Sequence, residues 1–340
     1  MAAANAAAAL IWDGAKLALL DQRSLPDAEV WLSPESAEDV AQAIRCLAVR
    51  GAPMIGIAAA YGVALDVTRE PGLGTLERAA QTLCSARPTA ANLAWAVNRV
   101  RTAATLAGPS QMASAARGEA EAIEAQNSAA TEMIAASGAD LLSGARRLMT
   151  HCNTGPLATG GRGTALGVIA ELARRDPSVG ALVCESRPLL QGARLTVWEL
   201  RRMKIAHALL VDSAAAGLIQ RGEVDGVIVG VDRVAANGDI ANKVGTYALA
   251  LAANAAGIPF VVAGPLSSID LATPSGQEIE IEERDGDEVR RVGSTLVTIV
   301  DTPCRNPAFD VTPAHLVTAL VTEGGVAKPV NTESVARLFS

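Results

Sequence analysis

Residues 226–247, GVIVGVDRVAANGDIANKVGTY, carry the clearest structural pattern in the chain. The stretch opens with an apolar run at 227–229, which predicts a buried strand, and Asp232 follows where that run ends. Asn242 and Lys243 stand at the predicted start of a helix rich in Ala and Leu. An acid at the carboxyl end of a strand and an Asn-Lys pair at a helix start suit an anionic ligand in an open α/β sheet. On this stretch alone, a plain strand, turn and helix with an Asn N-cap fits equally well.

Similar short apolar runs recur through the second part of the chain, after about residue 146. Five of them end at Cys152, Glu185, Asp212, Asp232 and Gly264, and a sixth is expected at 296–300. Helical patterns separate most of these runs, at 164–175, 194–204, 214–221 and 243–256. Alternation at this spacing predicts a parallel sheet with helices on both faces. Because the carboxyl ends of parallel strands share one edge, we expect an active site at that edge.

The first part of the chain is mostly helical in pattern, with a small β element. Residues 9–35 predict two or three short strands, and Ser36 is a predicted N-cap for a helix running to Val49. Further helices are expected at 54–66, 76–84, 89–107 and 112–145. The boundary between the two parts is expected in the last of these. The N-terminal residues before the first strand are expected to form a frayed tail.

Composition excludes several classes of protein. The net charge is −7 and no Lys/Arg run stands out, which weighs against nucleic-acid binding. No apolar stretch approaches the ~20 residues of a membrane helix, and the N-terminus lacks the basic region of a signal peptide. The five cysteines are scattered and form no C-x-x-C pair, so neither a disulfide framework nor a zinc site is indicated. A cytoplasmic location is therefore expected.

Cys152 is a candidate reactive thiol, since it follows a predicted strand and precedes a Gly-rich loop and a helix. The alternative is a buried structural cysteine, which is the expectation for Cys184 inside its strand. His151 neighbours Cys152, but consecutive strand residues point to opposite faces, so a Cys–His dyad is not expected. No metal-ligand spacing involves the three histidines. No metal and no cofactor is expected.

Several loops are candidates for ligand contacts. The run GGRGTALG at 160–167 does not fit a dinucleotide or phosphate-loop motif, and predicts instead a close backbone approach to some ligand. Arg50 stands before Gly51, Ala52 and a proline at a helix start, which suits either a phosphate cradle or a helix–loop–helix corner. Arg87 stands at another predicted helix start. Gln191 stands before another predicted helix and suits a sugar hydroxyl or a phosphate, or is only a loop residue.

Taken together, five segments resemble those of the methylthioribose-1-phosphate isomerase family: RGAPMIGIAAAYG, ARPTAANLAWAV, HCNTGPLATGGRGTALGVI, ESRPLLQGARLTVWEL and GVDRVAANGDIANKVGTYALALA. This family belongs to the superfamily shared with the regulatory subunits of translation initiation factor 2B. The resemblance covers nearly the whole chain. It implies an α/β fold with a smaller, mostly helical N-terminal domain at 1–125 and a larger Rossmann-like, parallel-sheet domain at 126–340. It also implies a homodimer.

The resemblance assigns catalytic roles to Cys152 and Asp232. It assigns substrate binding to seven positions: Arg50, Gly51, Ala52, Arg87, Gln191, Asn242 and Lys243. The chain departs from the family pattern with Asn-Thr-Gly-Pro at 153–156 and Gly-Gly-Arg-Gly at 160–163. The second departure bears on the substituent at C5 of the sugar.

The resemblance implies an enzyme that interconverts 5-methylthioribose 1-phosphate and 5-methylthioribulose 1-phosphate in methionine salvage, with a small-molecule sugar phosphate as its partner. A phosphate on C1 locks the sugar as a ring, so a proton donor such as Asp232 is needed to open it. Cys152 then either removes the C2 proton or stabilises charge during a hydride shift. Two alternatives stay open. One is a related isomerase acting on 5-deoxyribose 1-phosphate or ribose 1,5-bisphosphate, with Arg162 near a second phosphate, and the other is a non-catalytic regulatory subunit.

Overall fold

The computed structural model describes residues 8–87 and 90–340 of the 340-residue chain. The chain forms two compact units: the first ends at Glu132 and also includes Gly155–Gly163, and the second comprises Met133–Thr154 and Thr164–Ser340. The division falls inside one long helix, and the limit predicted at 125 and 126 lies in the same helix and stays a prediction. The N-terminal tail up to residue 7 lies outside the described residues.

The first unit is mostly helical with a small antiparallel sheet, as predicted. Its sheet has the strand order β1-β2-β3, in which β1 and β2 pair from Leu10 opposite Leu19. The elements in chain order are β1 (Leu10–Trp12), β2 (Leu17–Leu20), β3 (Trp31–Leu32), α1 (Ala37–Arg45), α2 (Ala52–Arg69), α3 (Leu73–Ala86), α4 (Ala91–Ala107) and α5 (Met112–Leu141).

The start of α1 confirms a local prediction, whereas its end does not. The Ser36 side chain caps the helix by accepting a hydrogen bond from the Asp39 N–H at 3.2 Å. The helix ends at Arg45, four residues before the predicted end at Val49. Leu47 has a φ of 61°, a left-handed conformation that an α-helix cannot contain.

The second unit contains the remaining strands and most of the remaining helices. Its elements continue as β4 (Arg147–Thr150), α6 (Pro156–Thr159, which belongs to the first unit), α7 (Ala165–Arg175), β5 (Gly180–Cys184), α8 (Val197–Arg202), β6 (Ala206–Leu210), α9 (Ala215–Gln220), β7 (Gly226–Val229), β8 (Arg233–Ala235), β9 (Ile240–Lys243), α10 (Thr246–Ala256), β10 (Phe260–Ala263), β11 (Ile269–Asp270), α11 (Asp287–Arg290), β12 (Arg291–Val292), β13 (Thr295–Leu296), β14 (Phe309–Thr312), β15 (Ala319–Thr322), β16 (Gly325–Ala327) and α12 (Thr332–Ala336). A π-helical turn, Gly192–Thr196, leads into α8.

The main sheet has seven strands in the order β16-β15-β10-β7-β4-β5-β6, all parallel except β16. Met149, Val227 and Val229 pack into one apolar cluster, whereas their strand neighbours Leu148 and Ile228 pack into another. Because successive strand residues face opposite sides, the sheet buries both of its faces. The α/β fold class and five of the predicted strands are thereby confirmed.

The sixth predicted strand, at 296–300, is wrong. The strand β13 contains only Thr295 and Leu296 and pairs with β12 in a separate hairpin. Val297, Ile299 and Val300 are exposed, so they take no part in the core that a buried strand requires. A smaller sheet, in the order β11-β8-β9-β14, completes the second unit. Across the described ranges, no helix combines the length and the apolar character needed to cross a membrane.

Candidate active site

Cys152 and Asp232 follow two strands that are neighbours in the main sheet. β4 and β7 are parallel, with Met149 opposite Val227, and neighbouring strands lie about 4.8 Å apart. Cys152 comes two residues after the end of β4, and Asp232 comes three residues after the end of β7. The segments that follow β4 and β7 also lie close together, since a Cβ on Gly230 would lie 2.6 Å from the Thr154 side chain. Both side chains therefore start from the same edge of the sheet.

Cys152 is buried, at 9% exposure, and its backbone is left-handed with a φ of 63°. Its N–H donates to Ser186 Oγ at 2.7 Å, and its carbonyl oxygen accepts from Thr196 Oγ1 at 2.6 Å. A non-glycine residue in this conformation is uncommon and is found mostly where the surrounding structure enforces it. The Cys152 main chain is thus held from both sides.

Asp232 lies beside the smaller sheet. Its side chain is half-buried, and its N–H donates to the Ala241 carbonyl oxygen at 3.0 Å. Asn242 directly follows Ala241 in β9, so the loop that carries Asp232 and the strand that carries Asn242 are hydrogen-bonded neighbours. The two predicted substrate-binding residues of this stretch therefore lie close to the predicted acid.

The prediction that Asn242 and Lys243 start a helix is wrong. Both residues are buried in β9, which pairs with β8 on one side and β14 on the other. The helix α10 begins at Thr246, after Gly245 in a left-handed conformation. Asp310 accepts hydrogen bonds from the N–H groups of Gly245 at 2.6 Å and Tyr247 at 3.1 Å. The N-terminus of α10 is therefore capped by a protein carboxylate.

The side chains of Asn242 and Lys243 are anchored in the protein interior. Asn242 Nδ2 donates to Thr246 Oγ1 at 2.9 Å. Lys243 Nζ donates to the Ala308 carbonyl oxygen at 2.7 Å and lies 4.8 Å from the centre of the Phe309 ring. An ammonium group against an aromatic face gains electrostatic stabilisation. Lys243 thus supplies a positive charge with little exposure, at 8%.

His151 connects the end of β4 to the end of β9. Its Nε2 lies 2.8 Å from the Val244 carbonyl oxygen. Because a carbonyl oxygen only accepts, Nε2 carries the hydrogen and Nδ1 is the acceptor. Nδ1 lies 3.3 Å from Ser186 Oγ. Burial lowers the pKa of His151 and the nearby Asp212 opposes that shift, so the imidazole is neutral near pH 7. The His151 side chain contacts the Ser186 hydroxyl.

Three side chains that are far apart in the sequence lie close together in the structure, and no sequence motif predicted this. The possible ligand atoms of His151, Cys184 and Asp212 lie within 4.8 Å of one another. Asp212 accepts hydrogen bonds from the N–H groups of Ser186 and Arg187, both at 2.8 Å. Burial raises the pKa of Cys184 to about 12, which favours the thiol over the thiolate that a metal ion requires. We therefore assign this cluster to the hydrogen-bond network around Ser186.

Gln191 has an unusual buried acceptor. The residue is 4% exposed, and its Oε1 atom has no hydrogen-bond partner within the described part of the chain. It precedes the π-helical turn, and Gly192 at the start of that turn packs directly on the Cys184 carbonyl oxygen. A buried acceptor without a partner is costly unless a ligand satisfies it. This geometry suits the hydroxyl donor predicted for Gln191.

The other predicted binding residues lie in the first unit. Gly51 has a φ of 96°, and a Cβ at this position would lie 2.2 Å from the Ala158 carbonyl oxygen, so only glycine fits. Ala52 is the first residue of α2, with Pro53 in its first turn, which confirms the helix start predicted after Arg50. Arg87 is the C-cap of α3 rather than the start of α4, which begins at Ala91, and Pro88 and Thr89 lie outside the described residues.

The glycine-rich loop at 160–163 contacts protein rather than leaving space for a ligand at Gly161. A Cβ on Gly161 would lie 2.4 Å from Thr131 Oγ1 and 3.0 Å from the Ser128 Cα. At Gly161 the close backbone approach is made to helix α5, and an approach of this loop to a ligand stays a prediction. Arg162, which follows, forms an ion pair with Glu132 at 2.9 Å.

Residues 48–329 match the model of the Initiation factor 2 subunit family, and the chain belongs to this family. Curated relatives of the chain carry the name methylthioribose-1-phosphate isomerase, among them the following two. The relative from Anaeromyxobacter sp. (strain K) is 49% identical over 333 residues, covering 97% of each chain. The relative from Alcanivorax borkumensis is 48% identical over 332 residues, covering 96% of each chain.

Two solved structures are similar over almost the whole chain. The 5-methylthioribose 1-phosphate isomerase from Pyrococcus horikoshii OT3 is 38% identical with a TM-score of 0.90, covering 98% of this chain and 95% of its own. The translation initiation factor eIF-2B subunit delta from A. fulgidus is 37% identical with a TM-score of 0.87, covering 98% of this chain and 99% of its own. Both agree with the fold described above.

Proposed function

We propose that the protein is an aldose–ketose isomerase that converts 5-methylthioribose 1-phosphate to 5-methylthioribulose 1-phosphate, a step of methionine salvage. The observation that carries this proposal is that a thiol and a carboxylic acid, those of Cys152 and Asp232, follow neighbouring parallel strands at one sheet edge. The full-length similarity to proteins named for this activity supports the choice of substrate.

The proposed chemistry starts with ring opening. The phosphate on C1 prevents the sugar from opening to a free aldehyde, so a proton must reach the ring oxygen. Asp232 is the proposed donor, because it is half-buried at the sheet edge. Cys152 is proposed to act at C1 and C2, either by taking the C2 proton as a thiolate or by stabilising charge while hydride moves from C2 to C1. Retention or loss of the C2 hydrogen in deuterated water separates the two routes.

Binding is proposed to use charge and buried polar groups. The strand that carries the buried residues Asn242 and Lys243 is hydrogen-bonded to the Asp232 loop, and the unpartnered Oε1 of Gln191 suits a sugar hydroxyl. Substrate binding is also proposed for four residues of the first unit: Arg50, Gly51, Ala52 and Arg87. A cation and backbone N–H groups next to a helix start are suited to phosphate.

Two alternatives are a different sugar-phosphate substrate and a non-catalytic regulatory subunit. Ribose 1,5-bisphosphate requires extra positive charge for a second phosphate, but the Arg162 guanidinium is already paired with Glu132. The similarity to an eIF-2B delta subunit favours a regulatory protein as the second candidate. The presence of both Cys152 and Asp232 favours the enzyme. We further propose that the protein works as a homodimer in the cytoplasm, where its five cysteines, none of them in a disulfide, suit a reducing environment.

The proposal is tested by assaying the purified protein with 5-methylthioribose 1-phosphate, 5-deoxyribose 1-phosphate and ribose 1,5-bisphosphate. We expect the methylthio substrate to have the highest kcat/KM. A preference for the bisphosphate would overturn the assignment of substrate. If none of the three is converted, and the protein purifies with translation-factor subunits, the regulatory candidate is correct. Light scattering during gel filtration tests the dimer independently.

A further inference from the structure

The main chain of Cys152 is held in its left-handed conformation by two buried hydroxyl groups. The N–H donates to Ser186 Oγ at 2.7 Å, and the carbonyl oxygen accepts from Thr196 Oγ1 at 2.6 Å. Ser186 and Thr196 are 0% and 1% exposed. The two hydroxyls thus bind the peptide groups on both sides of Cys152, whose φ of 63° is unfavourable for an L-amino acid.

We propose that Ser186 and Thr196 are positioning residues, which aim the Cys152 thiol by fixing the main chain of Cys152. The direction in which a side chain leaves the backbone is set by φ and ψ, so a residue that relaxes to the common region points its thiol elsewhere. Reacting groups must be held within a fraction of an ångström of the productive geometry. The functional part of this inference rests on the catalytic role proposed above for Cys152.

The Ser186 side of this arrangement is anchored at several points. Its N–H donates to Asp212 Oδ1 at 2.8 Å, and its Oγ lies 3.1 Å from the Cys184 carbonyl oxygen and 3.3 Å from His151 Nδ1. Both of these neighbours accept, since the hydrogen of the His151 ring points to Val244. The Ser186 hydroxyl therefore donates its one hydrogen on the side of these two acceptors, to the Cys184 carbonyl oxygen, and accepts from the Cys152 N–H with a lone pair.

The Thr196 side is anchored through the π-helical turn. Thr196 Oγ1 accepts a hydrogen bond from Asn153 Nδ2 at 3.2 Å, and the same amide donates to Glu199. Asn153 and Glu199 are 3% and 1% exposed. Because one Thr196 lone pair is filled by Asn153, its hydrogen is directed to the Cys152 carbonyl oxygen. π-helical turns frequently occur at functional sites, and here the turn places a hydroxyl against the candidate catalytic residue.

The experiment compares variants that separate hydroxyl chemistry from packing. Thr196→Val removes the hydroxyl at nearly constant volume, whereas Thr196→Ser keeps the hydroxyl and loses a methyl group. Ser186→Ala removes the other hydroxyl. Thr150→Val is the matched control, since Thr150 is 1% exposed and its Oγ1 has no partner within the described residues. Each variant is measured for kcat and KM with 5-methylthioribose 1-phosphate, for thermal unfolding, and for the rate at which iodoacetamide alkylates Cys152.

We expect kcat to fall by at least about tenfold in Thr196→Val and Ser186→Ala, with KM within about twofold of wild type. Thr196→Ser should be far more active than Thr196→Val, and Thr150→Val should match wild type. If valine is as good as serine at position 196, the hydroxyl has no positioning role and the proposal is overturned. The comparison of Thr196→Val with Thr196→Ser tests the positioning role even if Ser186→Ala does not fold.

Alkylation separates this proposal from the proposed function. If the wild-type protein does not convert the methylthio substrate, the proposed function fails, but the orientation of Cys152 can still be measured. Each variant removes one of the two hydrogen bonds that hold the Cys152 main chain, so the buried thiol should become more accessible. We expect alkylation to be about threefold faster or more in Thr196→Val and Ser186→Ala than in Thr150→Val. Equal rates in all variants would overturn the inference.

Discussion

The two ends of the neighbouring strands β4 and β7 use polar groups in opposite ways. At the amino ends, Asp225 accepts hydrogen bonds from the N–H groups of Arg146 and Arg147 at 2.9 and 2.8 Å and pairs with the Arg147 guanidinium at 2.6 Å. The side chains of this pair are 53% and 28% exposed. At the carboxyl ends, by contrast, the hydrogen-bonded groups around Cys152 are buried, and they comprise hydroxyls, an amide, the Glu199 carboxylate and a neutral imidazole.

This difference indicates at which end of the strands substitutions are tolerated. Exposed ion pairs are screened by water and contribute little to stability, so many residues can replace them. Buried polar groups must each find a partner, so the loss of one leaves another unsatisfied. We therefore expect substitutions at the carboxyl ends to have large and specific effects, and substitutions at the amino ends to have small ones. Four predictions test this contrast.

Loss of either candidate catalytic group should have the largest effect. Cys152→Ser and Asp232→Asn keep the size of the side chain and remove its acid–base chemistry, so each should lower kcat by at least about 100-fold while unfolding is unchanged. Cys46→Ser is a suitable control, because Cys46 is a free, half-buried thiol of the first unit. Near-normal turnover by either active-site variant would remove that residue from the mechanism.

Gly192→Ala should destabilise the second unit. A Cβ at this position would lie 1.8 Å from the Cys184 carbonyl oxygen, so the backbone must move, at a cost of about 1–3 kcal/mol. Gly217→Ala in α9 is the control, since its Cβ would meet only the end of Arg221 at 3.6 Å, and alanine there should be neutral or stabilising. Urea unfolding of both variants gives the comparison. Equal stabilities would mean that the close contact at Gly192 is absent in solution.

His151 should make stability depend on pH. Burial lowers the pKa of His151 in the folded protein below the ordinary value of 6.5. As the pH falls through and below 6.5, the unfolded chain therefore binds more protons at this residue than the folded protein does. Stability should therefore decrease on acidification in that range, by at most about 1.4 kcal/mol per pH unit from this group. Thermal unfolding between pH 7.5 and 5.5 should show a smaller decrease for His151→Gln than for wild type. Identical pH profiles would show that the imidazole is not buried as described.

Arg147→Gln should have the smallest effect. The guanidinium is half-exposed, and Asp225 keeps its two hydrogen bonds from backbone N–H groups when the charge is removed. We expect Tm to change by no more than about 2 °C, and kcat and KM to be unchanged. A loss of activity comparable to that of the carboxyl-end variants would contradict the contrast between the two ends.

Much of the fold was predictable because its signals are local. The apolar runs that became β4, β5, β6, β7 and β10 alternate with helical patterns, and parallel strands must end at one edge. The cap at Ser36 was predictable for the same reason, because capping needs only the next three residues. The placement of Cys152 and Asp232 after neighbouring strands followed from the same pattern once the strand order was known.

What could not be predicted depends on distant partners. Asn242 and Lys243 look like a helix start, but pairing with β14, more than sixty residues later, makes them part of a strand. Ser186 and Thr196 carry no signal of their own, since serine and threonine are ordinary loop residues. The only available hint is that both lie in the segment ESRPLLQGARLTVWEL, one of those that resemble the isomerase family.

The central claim, that Cys152 and Asp232 act on one bound sugar phosphate, is tested most directly by a crystal structure of the protein with 5-methylthioribulose 1-phosphate. The account predicts that C1 or C2 of the sugar lies within about 3.5 Å of the Cys152 sulfur and that the oxygen released from the ring lies within hydrogen-bond distance of the Asp232 carboxyl group. A ligand bound away from either side chain would contradict it.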